Sequence, residues 1–335
     1  MALELRQMRQ VLALAEHRSF ARAAVALRLS QPALSRSIQL LEQQIGSALF
    51  LRSVAGVVPT DIGRVLVQRA RQVVQMAEDL DREVVSNRTL QAGQLCIGAG
   101  PYPVESVITN ALARFITAYP AIGVRVQVRD WDDFLPRLRS RELDFFVAEI
   151  STLKSEPDLE VELLSEHALY FVGRHSHPLA ERDNVTAAQT FAYPFIAVAR
   201  IPPRLLEPML QARRKFAGRK AVPQAFPSLE FNVLAAVKRI VESSDAVTAL
   251  TLSCCASELQ QHRLSLLGTK PWLTTNYGIV SLKGHPMSSA ALRFREFVVQ
   301  SEAEVAPFED KVLESWNSRG ARTNLIGRVA AASRQ

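Results

Sequence analysis

SFARAAVALRLSQPALSRSIQLLEQQIGSALFLRSVAGVVPTDIG, Ser19 to Gly63, decides how this chain folds. It opens on a short helix with Ala21, Ala24, Val25 and Leu27 at helical spacing. A tight break at Arg28-Leu29 follows, and a second helix starts at Ser30. A serine is suited to that start, because its hydroxyl can accept from an otherwise orphaned backbone N–H of the first turn. Pro32 falls in the same turn, where a missing N–H costs nothing. Leu34, Ile38, Leu41 and Ile45 then form one apolar stripe for burial. Gln31, Ser35, Arg36 and Gln39 lie on the opposite face. A short helix, a tight turn and a second helix with polar groups at its start make a helix-turn-helix, whose second helix enters the DNA major groove. A helical pair serving only as scaffold is the plainer alternative.

Outward from this stretch, Leu3–Ala15 predicts a supporting first helix with apolar Leu5, Met8, Leu12 and Ala15. After Gly46, the run Leu49-Phe50-Leu51-Arg52 and then Ser53–Val58, broken by Gly56, suits a two-stranded wing. Thr60 caps a long helix to about Arg88. Its Leu66, Ala70, Val73, Ala77, Leu80 and Val84 step by four and three, a heptad seam. Such a helix is too long and too narrowly apolar for a core; it either lies along its own domain or, the stronger reading, pairs with its twin in a dimer.

Gln91-Ala92-Gly93 breaks the helix, and from Leu95 the texture changes. Strands are expected at Leu95–Ala99, Val124–Val128 and Leu143–Ile150, with helices at Val104–Tyr119 and Asp132–Ser140 between them. This βαβαβ rhythm argues a parallel, doubly wound α/β sheet. Leu163–Gly173 crosses into a second lobe holding Phe195–Ala199, Glu230–Val241 and Val247–Leu250. The chain returns near Leu266–Trp272, and Tyr277–Lys283 and Ser289–Ala303 complete the first lobe. Leaving a lobe and returning to it makes two lobes, a cleft and a two-stranded hinge. Pro307–Gln335 reads as a short helix and a loose tail.

The chain has 335 residues, 48% of them hydrophobic, enough for two or three domains with real cores. Its net charge is +7, compatible with nucleic acid as partner. Residues 1–60 carry seven arginines and three glutamates and so supply most of that excess. The first residues lack a basic-then-apolar signal pattern, and no apolar run nears the ~20 residues of a membrane helix. Three cysteines give no disulfide framework. The expectation is a soluble, cytoplasmic protein without a membrane association.

The run from Ser19 resembles the winged helix-turn-helix of the LysR-type transcriptional regulators. Ser19-Phe20, Ala23-Ala24, Leu27, Ser30-Gln31-Pro32-Ala33, Ser35, Ile38, Leu41-Glu42, Gly46, Leu49-Phe50, Arg52, Pro59-Thr60 and Gly63 fall in register with that family's signature. Val58-Pro59 replaces the usual hydrophobic-Leu pair before Thr60. Further on, FITAYPAIGVRVQV, LRSRELDFFVAE, GRHSHPLA and SSAALRFREFV resemble the family's periplasmic-binding-protein-like effector domain. The resemblance covers residues 3 to about 304. It implies an all-α winged helix-turn-helix at residues 1–60 and a linker and dimerisation helix at 61–91. It also implies a two-lobed α/β (type 2) effector domain at 92–305, with lobe 1 at about 92–166 and 270–305 and lobe 2 at about 167–269. A C-terminal extension, 306–335, lies beyond it. The implied function is operator binding on double-stranded DNA, a small-molecule effector, self-association as homodimer or homotetramer, and contact with RNA polymerase.

Gln31 can pair bidentately with adenine, Ser35 can reach a base edge or phosphate, and Arg36 can read guanine or neutralise a phosphate. Arg52 and Thr60, beside the wing, suit phosphate. Ser19 and Ser30 lie at helix starts, where backbone N–H groups favour phosphate. Pro32 offers a methylene surface to a thymine methyl. In open α/β sheets, ligands sit beyond the carboxyl ends of strands. The expected effector residues there are Gly100, Pro101, Tyr102, Arg129, Asp130, Trp131, Ala199, Arg200, Phe231, Asn232 and Thr248. Family members often place Ser or Thr where this chain has Gly100-Pro101-Tyr102, which argues for a flatter or larger ligand than a simple small acid.

The alternative readings are a solute-binding protein or a redox sensor using Cys254-Cys255, since some relatives sense oxidants through cysteines. Against sensing, adjacent cysteines bond only through a strained ring. His175-Ser176-His177 has no partner at zinc spacing, and Arg213-Arg214-Lys215 with Arg219-Lys220 suits a solvated face. No catalytic constellation, metal set or cofactor motif is visible, so no enzyme is expected.

Overall fold

The computed structural model describes residues 3–53, 56–86, 93–153, 156–215 and 225–319. Val54, Ala55, Gln91, Ala92, Arg219, Lys220 and 320–335, on which some expectations fall, lie outside them. The chain divides into two compact units.

The N-terminal unit comprises α1 (Leu5–His17), α2 (Phe20–Ala26), α3 (Gln31–Ile45), β1 (Phe50–Ser53), β2 (Gly56–Pro59) and α4 (Asp61–Ser86). Each start is dictated by its cap. Ser19 Oγ accepts from Arg22 N at 3.5 Å, Ser30 Oγ from Ala33 N at 3.3 Å, and Thr60 Oγ1 from Gly63 N at 3.0 Å. α1 stops at Arg18 and α3 at Gly46, both left-handed. The turn between α2 and α3 puts Arg28 at φ 55°.

Val11, Leu14, Ala23, Ala24, Leu34, Ile38, Leu41, Leu49 and Val57 form the core of this unit. The expected stripe of α3 is therefore buried, with Ile45 at its margin. Two helices are rotated from expectation. In α1 the buried residues are Gln10, Val11 and Leu14, because α1 packs against both α3 and α4. In α2, Ala23 and Ala24 are buried while Ala21 and Val25 face out. The wing strands pair antiparallel and are held by side chains. Glu42 Oε1 accepts from Leu49 N at 2.7 Å and Phe50 N at 3.2 Å, and Thr60 Oγ1 donates to Ala48 O at 2.8 Å. Gly63 lies so close to this corner that a Cβ there would sit 2.0 Å from Leu49 O.

The second unit is one eight-stranded sheet in the order β4-β3-β5-β10-β6-β9-β7-β8. Its elements are β3 (Gly93–Ala99), α5 (Pro101–Pro103), a π-helical turn (Val104–Ile108), α6 (Thr109–Ala118), β4 (Ile122–Val128), α7 (Trp131–Arg139) and β5 (Phe145–Glu149). They continue with β6 (Leu159–Arg174), α8 (Ala187–Thr190), β7 (Phe195–Ala197), α9 (Pro203–Arg214), β8 (Leu229–Glu230) and α10 (Leu234–Glu242). Last come β9 (Val247–Leu250), α11 (Leu252–Gln260), β10 (Leu264–Leu282) and α12 (Ser289–Arg319).

β3 runs parallel to β4 and β5, and β7 parallel to β8 and β9. These are the two lobes. The antiparallel β6 and β10 pass through both, so the sheet is mixed rather than wholly parallel. Leu266–Trp272 and Tyr277–Lys283, expected as separate strands, belong to the one strand β10. Its register against β6 slips between Thr269 and Thr274, and that irregularity marks the passage from one lobe to the other.

Each lobe carries a core on both faces of its strands. In the first, Ile97, Phe115, Phe145, Phe294 and Val298 pack on one side and Phe134, Phe146 and Ile150 on the other. Gly98 lets Phe134 approach, since a Cβ there would meet the ring at 2.6 Å. In the second, Val172, Val237, Leu250 and Leu259 occupy one face and Phe171, Phe191, Phe195 and Leu205 the other.

α12 corrects the expected break near Pro307. The helix continues through Pro307 to Arg319. Phe294, Val298 and Val305 sit in the first lobe's core, and Val312, Leu313 and Trp316 in the second's. Burial on both lobes outweighs the cost of one interior proline.

Candidate functional site

On α3 the helix-turn-helix exposes Gln31, Pro32 and Arg36 to solvent and leaves Ser35 half-buried. Leu34, Ile38 and Leu41 anchor the opposite face, so the polar row cannot rotate inward. Ser19 and Ser30 use their oxygens as cap acceptors, which leaves each hydroxyl hydrogen free to donate outward. Thr60 differs. Its hydroxyl donates to Ala48 O and accepts from Gly63 N, so it joins wing to helix rather than facing a phosphate. The Arg52 side chain lies outside the described residues.

The α4 seam splits in two. Leu66 is half-buried against the unit's own core, and Ala70 is buried, as is Val74, which the seam did not include. Ile62, Val65, Val73 and Met76 stand exposed, Val65 by 61%. Ala77 is half-buried, and the Leu80 and Val84 side chains lie outside the described residues.

In the second unit a cleft opens between the lobes, lined by residues of both. The carboxyl ends of β3, β5 and β7 deliver Gly100, Glu149 and Val198 to it, as the topology predicts. Of the expected residues it gathers Gly100, Pro101, Tyr102, Asp130, Trp131, Ala199 and Arg200. Arg129, Phe231 and Asn232 are exposed and off its lining. Thr248 is also off it, fully buried, its hydroxyl donating to Ile196 O at 2.9 Å. Sequence reading missed Glu149, Leu169, Leu205, Met209 and Tyr277. Glu149 stands at the carboxyl end of β5, a place the strand rule does mark, whereas Leu169 and Tyr277 come from strand interiors and Leu205 and Met209 from α9, where nothing but three-dimensional proximity marks them.

Polar bonds tie the lobes across this cleft. Arg200 N donates to Asp130 Oδ1 at 3.1 Å, and its guanidinium pairs with Asp132. Arg204 Nη2 donates to Glu149 Oε1 at 2.9 Å and to Thr274 O at 2.8 Å. Tyr102 OH donates to Ala249 O at 2.8 Å. Burial pushes the Asp130 carboxyl above its usual range, against the pull of the Arg200 N–H. Beneath the cleft, His167 of β6 bonds Glu302 Oε1 at 2.8 Å and Glu309 Oε2 at 3.4 Å, both on α12. Burial lowers the His167 pKa, but the two carboxylates outweigh it and raise it to about 9.

The cysteine and histidine motifs are structural. Burial pushes the Cys254 thiol up to about 12 and Cys255 well up too, so neither offers the thiolate that oxidation needs. His177 Nδ1 accepts from Leu179 N at 3.1 Å and its Nε2 faces Asp245 O at 3.2 Å, which leaves no nitrogen for a metal. Among the described residues no cluster of His, Cys, Asp and Glu is placed to hold a metal ion, and no helix is long and apolar enough to cross a membrane.

A DNA-facing helix-turn-helix and a two-lobed binding domain together define a ligand-responsive transcriptional regulator. Comparison with known proteins agrees. Residues 5–64 match the family described as bacterial regulatory helix-turn-helix protein, lysR family, and residues 88–303 match the LysR substrate binding domain. The chain belongs to the LysR family of transcriptional regulators. It is similar to the SDS degradation transcriptional activation protein of Pseudomonas sp., 35% identical over 91% of this chain and 98% of that one. It also resembles the RuBisCO operon transcriptional regulator of Allochromatium vinosum, 27% identical over 91% and 98% of the two chains. In fold it resembles full-length CbnR complexed with its target DNA, at a TM-score of 0.63, 19% identity and coverage of 89% and 100%.

Proposed function

We propose that this regulator reads its operator with Gln31, Ser35 and Arg36 of α3. Ser19, Ser30 and Arg52 meet phosphates, and Pro32 lies against a base methyl. The observation that carries this is the exposed polar row on α3, held outward by a buried opposite face. We further propose that it acts as a cytoplasmic homodimer or homotetramer with no catalytic activity and communicates with RNA polymerase. The working divisions are a DNA-binding domain at 1–60, a linker at 61–91, an effector domain at 92–305 and an extension at 306–335. An effector bound between the lobes, against Tyr102, Asp130 and Arg200, shifts how the lobes close. A coupling of about 1–3 kcal/mol between cleft and operator is the ordinary size of such an effect. The Pseudomonas relative is named for SDS degradation, which makes that process the first place to look for target genes.

Operator selection followed by gel shift with single-base variants tests the reading. Gln31→Ala should cost about 1–3 kcal/mol on the selected site and relax preference at one base pair. An unchanged base preference removes Gln31 from the reading set.

A further inference from the structure

Arg204, near the start of α9 in the second lobe, does not line the cleft, yet its guanidinium reaches out of its own lobe in two directions. Nε and Nη2 donate to Glu149 Oε1 at 3.2 and 2.9 Å, at the end of β5 in the first lobe. Nη1 donates to Thr274 Oγ1 at 3.4 Å and Nη2 to Thr274 O at 2.8 Å. Thr274 stands where β10 resumes its pairing with β6 after the slip, at the passage between the lobes.

Neither acceptor is free to follow Arg204 if one lobe turns on the other. The second carboxylate oxygen of Glu149 is held by Ser151 N at 3.0 Å and Ser151 Oγ at 2.8 Å. Thr274 O is backbone in a paired strand. A planar guanidinium with fixed donor directions therefore meets both at one lobe angle only. The pair is sheltered too, with the Arg204 and Glu149 side chains 27% and 13% exposed. Arg200 and Asp132 also bridge the lobes, but there the arginine is 52% exposed. Exposed pairs are screened and weak, whereas a sheltered charge that loses its partner is costly. The inner pair dominates.

We propose that Arg204 is a positioning residue that fixes the angle between the two lobes. Turning the lobes about β6 and β10 breaks its four bonds together, so the lobes stay put until all four give way. Lysine cannot take its place, because an ammonium is a point charge without the planar fork. That lobe angle carries a signal to the operator rests on the cleft being the effector site; the pin itself does not.

The test is an electron–electron distance measurement in the full chain, with spin labels at Arg129→Cys and Asn232→Cys and the half-buried Cys96 replaced as Cys96→Ser. Both label positions are exposed and follow β4 and β8, the two ends of the sheet, so their separation reads the lobe angle. Labelled chain is diluted into unlabelled chain so that only pairs within one chain count. The parent should give one narrow distance. Arg204→Met and Arg204→Lys should both broaden or shift it, whereas Thr274→Val, which removes only the 3.4 Å bond, should not. Hydrogen exchange in β3 and β9 should stay within about threefold of the parent, as it does when each lobe remains folded. If Arg204→Met does not fold, the double variant Arg204→Met with Glu149→Leu, which leaves no unpaired carboxylate, takes its place.

An unchanged distance in Arg204→Met or the double variant overturns the proposal. So does full rescue by Arg204→Lys, which would make the role one of charge alone. Gel shift on the selected operator tests the signalling half separately, with a change of about fivefold or more expected in Arg204→Met. A shifted distance with unchanged operator affinity leaves the pin standing and removes lobe angle as the signal.

Discussion

Glu42, Thr60 and Gly63 all belong to the motif that marks this family, yet none of them faces outward to read DNA. Glu42 and Thr60 fasten the wing through backbone bonds, and Gly63 is required by contact with Leu49 O. Gly63→Ala should therefore destabilise the N-terminal unit by about 1–3 kcal/mol, the usual cost of overpacking; thermal unfolding of the variant measures it. Residue identity alone does not separate such fasteners from a proposed reader such as Gln31, because both fall in register with the same pattern. His167 was not visible at all. As a histidine inside a strand it gave no motif, and only the fold brings two glutamates of α12 to its ring. Its pKa is raised from 6.5 to about 9 in the folded chain. The ion pair's stabilisation is thus fully present below about pH 6.5 and is lost as pH rises through about 9. His167→Gln should flatten that alkaline loss in a stability–pH series.

At the scale of elements, caps and apolar periods were legible and partners were not. The starts of α2, α3 and α4 follow from Ser19, Ser30 and Thr60, and Ser30→Ala should cost about 0.5–2 kcal/mol in the stability of the unit. The rotation of α1, the double role of α4 and the length of α12 depended on what each helix packs against. For α4, the exposed Val65, Val73 and Met76 suit self-association, whereas Ala70 is buried. Val73→Asp should shift sedimentation toward monomer with the fold intact, and Ala70→Asp should unfold the unit. The reverse pattern moves the dimer seam to the buried side. Trp316 sits half-buried on the second lobe's core, so Trp316→Ala should lower stability by about 1–3 kcal/mol, less than a fully buried aromatic.

Across the whole second unit, the two-lobed plan and its cleft were legible because the chain's strand rhythm leaves one lobe and returns to it. The hinge was less so, since β10 was expected in pieces. Three elements span the lobes, β6, β10 and α12, and the last is seated in both cores. One consequence concerns cooperativity. Neither lobe can lose its packing without withdrawing part of α12 from the other, so heat should melt the two as a single calorimetric transition. Hydrogen exchange should then report matched opening energies for amides in β3 and β9, although these strands belong to different lobes.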